Sequence, residues 1–157
     1  MPLNPEISRF IREHLDDNPD QLLWKKNEYP DDRVVVAVEQ IQARENIKEK
    51  LPSWYACQNI FYPSKLSTEQ CSSETTAPYK ARLATGNSLC DLTGGLGVDT
   101  YFFSQQVDKV TYVERDKSYC EAARFNFLAL GATNIEVIHA NATTVANQVI
   151  ADTYYID

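Results

Sequence analysis

The stretch Asp91-Leu92-Thr93-Gly94-Gly95-Leu96-Gly97-Val98-Asp99 decides how this chain is expected to fold. Residues 89–92 are apolar enough for a short buried strand, the glycines predict a tight turn, and residues 98–105 predict the start of a helix. A second apolar run at 109–113 ends in Glu114, about 20 residues after the loop. A strand, a glycine loop, a helix and an acid-ended strand in this order indicate a nucleoside-cofactor site.

The glycines and Glu114 have separate expected roles in such a site. Glycine is needed where the backbone turns sharply and approaches a ligand, because it has no Cβ in the way. The Glu114 carboxylate suits the two hydroxyl groups of a ribose, since an ionised acid can accept both hydrogen bonds. An α/β turn that binds no ligand stays open as an alternative, although it would not require the acid.

The kind of nucleoside can be argued from the same loop. A phosphate-binding fingerprint would read G-x-G-x-x-G, but the third glycine is replaced in Gly95-Leu96-Gly97-Val98-Asp99-Thr100. Carboxylates at Asp91 and Asp99 would repel a pyrophosphate, whereas they suit a ligand that carries ammonium and sulfonium groups. S-adenosylmethionine is such a ligand, and a nicotinamide-dependent oxidoreductase stays open as an alternative.

Composition limits the functional classes. The chain has 157 residues, of which 43% are hydrophobic and 24% charged, as in ordinary soluble proteins. No apolar run approaches the roughly 20 residues needed to span a bilayer, so we expect a cytoplasmic protein without a membrane partner. The net charge of −7 argues against strong nucleic-acid binding by this chain alone. The cysteines have no C-x-x-C spacing, and no metal site is predicted.

Residues 1–87 are predicted to form a helical N-terminal subdomain. Their apolar residues recur at helical spacing, at Ile7, Phe10, Ile11, Val34, Val38, Ile41, Ile47 and Leu51. Pro19, Pro30 and Pro52 divide this region into short helical pieces, and Pro52 is expected to end the longest helix. The run 67–70 predicts a capping box, with Ser67 as the cap and Gln70 reaching back.

Residues 88–157 are predicted to form an α/β unit in which strands and helices alternate. The expected strands are 89–92, 109–113, 135–139 and 153–156, and the expected helices are 98–105, 118–130 and about 144–150. This alternation implies parallel strands joined by right-handed crossovers.

From residue 88 onward the chain resembles the class I S-adenosylmethionine-dependent methyltransferases. Their motif I is commonly D-x-G-x-G-x-G, and Thr93 stands where that pattern has its first glycine. The resemblance implies a Rossmann-like sheet, S-adenosylmethionine as cofactor, and cofactor binding by Asp91, Thr93, Gly94, Gly95, Gly97 and Glu114. It also implies that Asn141 lies beside the adenine, where many members carry an acid.

The resemblance extends to the acceptor side. The run 151–157 is similar to the approach to motif IV, whose first residue would be Asp157. In enzymes that methylate exocyclic or ring nitrogens this residue grips the acceptor amine, so Asp157 is the catalytic candidate. Asn126 matches an Asn common in nucleic-acid methyltransferases, with a bracing role as the alternative. Gln70 and Ser73 are candidates for the methionine end of the cofactor, with a plain helix face as the alternative.

A narrower resemblance spans nearly the whole chain. The strings L-P-S-W-Y at 51–55, E-Q-C-S-S-E at 69–74 and D-L-T-G-G-L-G-V-D at 91–99 are similar to RNA methyltransferases of Bacteroidetes that carry a THUMP-like C-terminal domain. This implies an RNA acceptor, such as tRNA or rRNA.

Members of this group continue well beyond motif IV. The full sheet would have strand order 3-2-1-4-5-7-6, so we expect residues 88–157 to supply its first half, strands 1 to 4. We therefore expect an inactive N-terminal fragment whose exposed fourth strand can self-associate. A non-catalytic binding or assembly module is the alternative.

Overall fold

A computed structural model describes residues 4–29 and 32–157. Pro30, which was expected to divide the helical region, lies outside the described residues. The first half of the chain is helical, with α1 Pro5–Glu13, α2 Pro19–Trp24, a 3-10 helix Lys26–Glu28, α3 Arg33–Ile47, α4 Pro52–Ala56, α5 Lys65–Gln70 and α6 Thr76–Ala81. The second half alternates, with β1 Ser88–Asp91, α7 Val98–Phe103, β2 Lys109–Glu114, α8 Lys117–Ala129, β3 Ile135–His139, α9 Ala142–Val145 and β4 Thr153–Tyr155.

Local signals explain where several helices begin. The Asn18 side chain accepts hydrogen bonds from the backbone N–H groups of Asp20 and Gln21, and Pro19 follows in the first helical position. Asn and Pro are favoured at these places because the first N–H groups of a helix lack partners within it. Pro52 likewise opens α4, while α3 already ends at Ile47. The expectation that Pro52 ends the long helix is therefore corrected.

The predicted capping box is wrong in its position. Helix α5 begins at Lys65, and its cap is Ser64, whose Oγ accepts a hydrogen bond from the Ser67 N–H at 3.1 Å. Ser64 has the extended backbone of a cap residue, so the helix starts three residues earlier than the 67–70 pattern suggested. Gln70 is the last residue of this helix and does not reach back to its start.

All strand pairs in the sheet are parallel. The spatial order is β3-β2-β1-β4, which confirms the predicted α/β fold and the expected arrangement of its first four strands. In the register, Asp91 at the end of β1 lies between Tyr112 of β2 and Tyr155 of β4. The chain order reverses between β1 and β4. In sheets of this kind ligands bind at such a reversal, beyond the carboxyl ends of the strands.

Alternate residues of the central strands face two apolar layers. Leu89 and Val110 pack in the largest core cluster, which also contains Trp54 of α4 and Ile47 of α3. Cys90 belongs to a separate cluster on the other side of the sheet. The end of α3, α4 and α6 therefore share this core with the sheet, whereas α1, α2 and the beginning of α3 form a separate apolar cluster.

The described part of the chain contains neither a membrane-spanning helix nor a cluster of metal-binding side chains. No helix there has both the length and the apolar character required to cross a bilayer. No group of three or more His, Cys, Asp or Glu side chains there is arranged to hold a metal ion.

Candidate functional site

A cavity of about 310 Å³ lies at the carboxyl ends of β1 and β4. Its walls come from four segments of the chain, namely residues 67 and 70–72, residues 91 and 93–99, Tyr119, and residues 155 and 157. This volume is at the lower end of the range for small-molecule sites. The cavity sits where the strand order reverses, so its place in the fold is that of a cofactor site.

The glycine loop needs its glycines for two different reasons. A Cβ at Gly94 would overlap the ring of Tyr112, and one at Gly97 would lie 2.8 Å from Cζ of Phe127. Gly95 and Gly97 also have positive φ angles of 54° and 90°, which other residues rarely adopt. Around Gly95 the space is open, because among the described residues, its two chain neighbours aside, only the Thr93 carbonyl oxygen would lie within 4 Å of a Cβ, at 3.7 Å.

Glu114 supports the loop from the neighbouring strand. Its Oε2 accepts a hydrogen bond from the Gly95 N–H at 3.0 Å, and its Oε1 accepts one from the Asp116 N–H at 2.8 Å. The Tyr112 hydroxyl donates to the Gly95 carbonyl at 2.6 Å. Glu114 itself does not line the cavity, but it is hydrogen-bonded to Gly95, which does. Each carboxylate oxygen keeps capacity for a further donor.

Asp91 joins the loop to the helix that follows it. The side chain is 1% exposed, and it accepts hydrogen bonds from the Thr93 N–H at 3.0 Å and from the Thr100 hydroxyl at 2.5 Å. Burial raises the pKa of Asp91 to about 6, although both hydrogen bonds act in the opposite direction. The nearby charges of Asp99 and Glu114 raise it further. A cation in the cavity would favour the ionised form.

A second acidic group gathers at the β4 side of the cavity. Asp99 of α7 and Asp157, just after β4, each direct Oδ2 to the ammonium of Lys80, at 3.1 and 2.6 Å. The Tyr155 hydroxyl lies 2.9 Å from the same oxygen of Asp99. Asp157 is also tied to the loop, because its backbone N–H donates to the Thr93 hydroxyl at 3.0 Å.

The protonation states follow from these contacts. Burial alone would lower the pKa of Lys80, but hydrogen bonds with Asp157, Tyr155 and Asp99 outweigh it and raise that pKa above its ordinary value. The same Lys80 contact, with the Tyr155 hydroxyl, lowers the pKa of Asp157. Lys80 and Asp157 therefore form an ion pair at neutral pH.

The structure brings most of the predicted site residues to one place. Those that line the cavity are Asp91, Thr93, Gly94, Gly95, Gly97 and Asp157, together with Gln70. Asn141 does not line it. Its Oδ1 caps α9 by accepting from the N–H and hydroxyl of Thr143, at 3.0 and 2.9 Å. Ser73 also does not line the cavity, and its Oγ is hydrogen-bonded to the Thr76 hydroxyl at 2.9 Å.

Asn126 braces residues 57–64, the connector between α4 and α5 that contains Phe61 and Tyr62. It is fully buried, and its amide accepts from the Phe61 N–H and donates to the Phe61 carbonyl, both at 2.8 Å. Of the two roles considered for Asn126, the contacts in the structure are those of a brace. This brace fixes the connector against α8 and so helps to hold Ser64 near Tyr119, whose hydroxyl is 2.8 Å from the Ser64 Oγ.

Sequence reasoning missed Lys80, Ser72 and Tyr119 as parts of the site. Lys80 and Ser72 belong to a region with the composition of an ordinary helical surface, and Tyr119 lies within α8. Lys80 and Tyr119 stand in no recognisable motif, and Ser72 lies within the string at 69–74, which carries the resemblance but assigns Ser72 no role. The position of all three in the site depends on packing between distant segments of the chain.

Comparisons with known proteins add to this picture. No protein-family model and none of the curated proteins matches the chain. Among solved structures, a proposed methyltransferase from Porphyromonas gingivalis W83 matches with a TM-score of 0.79 and 28% identity, over 90% of this chain and 36% of that one. This chain thus spans about a third of that protein's length, and it shares its Rossmann-like methyltransferase fold.

Two weaker structural matches are mutant structures of MtNAS. The one in complex with S-adenosylmethionine has a TM-score of 0.48 and 15% identity, over 92% of this chain and 60% of that one. The other has a TM-score of 0.44 and 21% identity, over 93% of this chain and 54% of that one.

Proposed function

We propose that this chain forms the cofactor-binding part of an S-adenosylmethionine-dependent methyltransferase. The observation that carries the proposal is the cavity at the strand reversal, walled by the loop 94–97 and by the carboxylates of Asp91, Asp99 and Asp157. An acidic wall around a glycine loop suits a nucleoside with cationic groups. The match to a proposed methyltransferase with a TM-score of 0.79 supports the same reading.

The residues present fit such a cofactor better than a dinucleotide. At the position of the third glycine, Thr100 is fully buried and donates its hydroxyl to Asp91. A pyrophosphate at the start of α7 would lie close to the carboxylates of Asp91 and Asp99. Because the pyrophosphate is itself negatively charged, these carboxylates would repel it. This argues for the sulfonium cofactor and against a nicotinamide cofactor.

Several side chains have assigned roles in this proposal. When bound, the cofactor would supply a methyl group on sulfur for direct displacement by an acceptor nitrogen. Glu114 would accept hydrogen bonds from the ribose hydroxyls next to Gly95, and Asp157 would accept one from the acceptor amine. No hydrogen bond from the described residues reaches Asp157 Oδ1, so that oxygen is available. The protein contributes chiefly by aligning the reacting atoms.

The acceptor we propose is a base nitrogen of RNA. The support is the resemblance of the strings at 51–55, 69–74 and 91–99 to RNA methyltransferases, together with the place of Asp157 directly beyond β4. Asn141 stays a proposed adenine contact through its Nδ2, because its Oδ1 is engaged with Thr143.

Calorimetric titration with S-adenosylhomocysteine and, separately, with NAD tests the cofactor class. We expect saturable binding of S-adenosylhomocysteine and none of NAD at the same concentrations. Tighter binding of NAD would indicate an oxidoreductase, and binding of neither would leave a non-catalytic module as the better description. Fluorescence anisotropy with an RNA oligonucleotide and its DNA counterpart, each with S-adenosylhomocysteine present, tests the acceptor class. We expect weak binding that favours the RNA, and measurable binding of both with equal affinity would contradict an RNA acceptor.

A further inference from the structure

Lys80 joins three other segments of the chain behind the cavity wall. Its ammonium lies 2.6 Å from Asp157 Oδ2, 2.6 Å from the Tyr155 hydroxyl, 2.9 Å from the Ser72 hydroxyl and 3.1 Å from Asp99 Oδ2. All four partners line the cavity, whereas Lys80 does not. Lys80 therefore acts on the cavity through these partners.

The contacts leave the two oxygens of Asp99 in different states. Oδ2 accepts from Lys80, Ser72 and Tyr155, whereas Oδ1 is buried and has no partner among the described residues. An ionised oxygen that is buried without a donor is costly, and a cationic ligand group would remove that cost. Lys80 fixes which oxygen is left unpaired.

The sheet topology indicates which end of a ligand would reach Asp99. Glu114 ends β2 on one side of β1, and Asp157 follows β4 on the other side. Asp99 accepts a hydrogen bond from the Tyr155 hydroxyl of β4, so it lies on the β4 side of the cavity. A ligand whose ribose is near Glu114 would extend across the loop and direct its opposite end toward Asp99.

We propose that Lys80 is a positioning residue that holds Asp99 and Asp157 together, so that Asp99 Oδ1 accepts the α-ammonium of the cofactor's amino-acid end. The inference rests on the proposed function. It also gives a role to the partly exposed Lys80 ammonium, which lies against the acidic wall of the cavity without lining it. Without Lys80, the Asp99 and Asp157 carboxylates would repel each other across a short distance.

The test compares two ligands that differ only at the amino-acid end. S-adenosylhomocysteine carries the α-ammonium, and 5′-methylthioadenosine lacks the amino-acid group entirely. Calorimetry would measure both affinities for the wild type and for Asp99→Asn, Lys80→Met and Lys80→Arg. Lys109→Met is the matched control, because it also removes a paired lysine, 2.9 Å from Glu136, but far along the strand from the cavity.

We expect Asp99→Asn and Lys80→Met to weaken S-adenosylhomocysteine binding about tenfold or more, with 5′-methylthioadenosine unchanged. Lys80→Arg should recover most of the affinity, because it keeps the positive charge, and Lys109→Met should match the wild type.

Other outcomes overturn the inference. If Lys80→Met weakens the affinity for both ligands equally, Lys80 has only a structural role. If Asp99→Asn binds S-adenosylhomocysteine with unchanged affinity, Asp99 does not bind the α-ammonium. If Lys80→Met does not fold, Asp99→Asn and Lys80→Arg decide the question. A wild type that binds neither ligand would instead refute the proposed function, and the inference with it.

Discussion

The Glu114 carboxylate accepts a hydrogen bond from the backbone N–H of Gly95, with 3.0 Å between Oε2 and the nitrogen. This bond links the end of β2 to the turn that follows β1. The same carboxylate accepts from Asp116 N–H at 2.8 Å and so orders the entrance to α8. Glu114 thus has a structural role in the loop besides the ribose contact that we propose.

Replacing Glu114 should weaken ligand binding strongly. In Glu114→Ala the loop loses its support and the ribose loses a charged acceptor, at about 1.5–3 kcal/mol for each charged hydrogen bond. We expect calorimetry to show at least a tenfold weaker affinity for S-adenosylhomocysteine. Glu136→Ala, at an exposed position of strand β3, is the control and should bind as the wild type does. Unchanged affinity in Glu114→Ala would exclude Glu114 from the site.

Substitution of Gly95 should separate ligand contact from backbone strain. Gly95→Val places a branched side chain in open space at the cavity and should abolish binding of S-adenosylhomocysteine. Gly131 has a comparable positive φ of 74° but lies away from the cavity, so Gly131→Val carries similar strain. Both variants should lose thermal stability, and only Gly95→Val should lose binding. Normal binding by Gly95→Val would show that the loop does not contact the ligand.

Asp91 should give the protein a distinctive pH dependence. Because burial raises the pKa of Asp91 to about 6, the folded protein keeps a proton that the unfolded chain releases from about pH 4. The contribution of Asp91 to stability therefore falls as the pH rises from 4 to 6. Asp91→Asn stays neutral, so its melting temperature relative to the wild type should increase across this window.

Asp116 provides the comparison for that experiment. Hydrogen bonds from the Ser118 hydroxyl and N–H lower the pKa of Asp116, so its contribution to stability is present above the ordinary pKa and lost in acid. The melting temperature of Asp116→Asn relative to the wild type should fall with rising pH, opposite to Asp91→Asn. If the difference in melting temperature between Asp91→Asn and the wild type does not vary with pH, the raised pKa of Asp91 is contradicted.

Loss of the Asn126 brace should destabilise the fold. Asn126→Ala leaves the Phe61 N–H and carbonyl without partners, at a cost of about 1–3 kcal/mol for each group. Urea denaturation would show this as a lower free energy of unfolding. Asn147→Ala, at an exposed position, should change it by less than about 0.5 kcal/mol. Equal stability of the two variants would show that the brace is unimportant.

The β4 edge should support self-association. Among the described strands β4 pairs only with β1, and Ile156 just beyond it is 70% exposed. Ile156→Lys should reduce self-association in sedimentation velocity, because charge on an edge opposes pairing. Ile150→Lys, which also replaces an exposed isoleucine but off the strand, should not. A wild type that stays monomeric at all concentrations would contradict the prediction.

Much of the α/β half could be predicted from local pattern. The four strands lie within a residue or two of their expected bounds, because β1 and β2 are largely buried runs and the turns between elements carry Gly, Asn or Asp, while β3 and β4 are only partly buried. The same holds for the place of the glycine loop before α7. The S-x-x-Q pattern at 67–70 predicts Ser67 as the cap, but Ser64, which has no Glu or Gln three residues later, is the residue with the extended backbone of a cap.

The sequence by itself therefore determined the order of elements, the glycine loop and the acid at the end of β2, since each depends on residues near one another in the chain. Tertiary structure alone decided that Lys80 meets Asp157, 77 residues away, and that Asn126 holds Phe61, 65 residues away. Such contacts depend on how helices and sheet share one core, and no local pattern of residues encodes that packing.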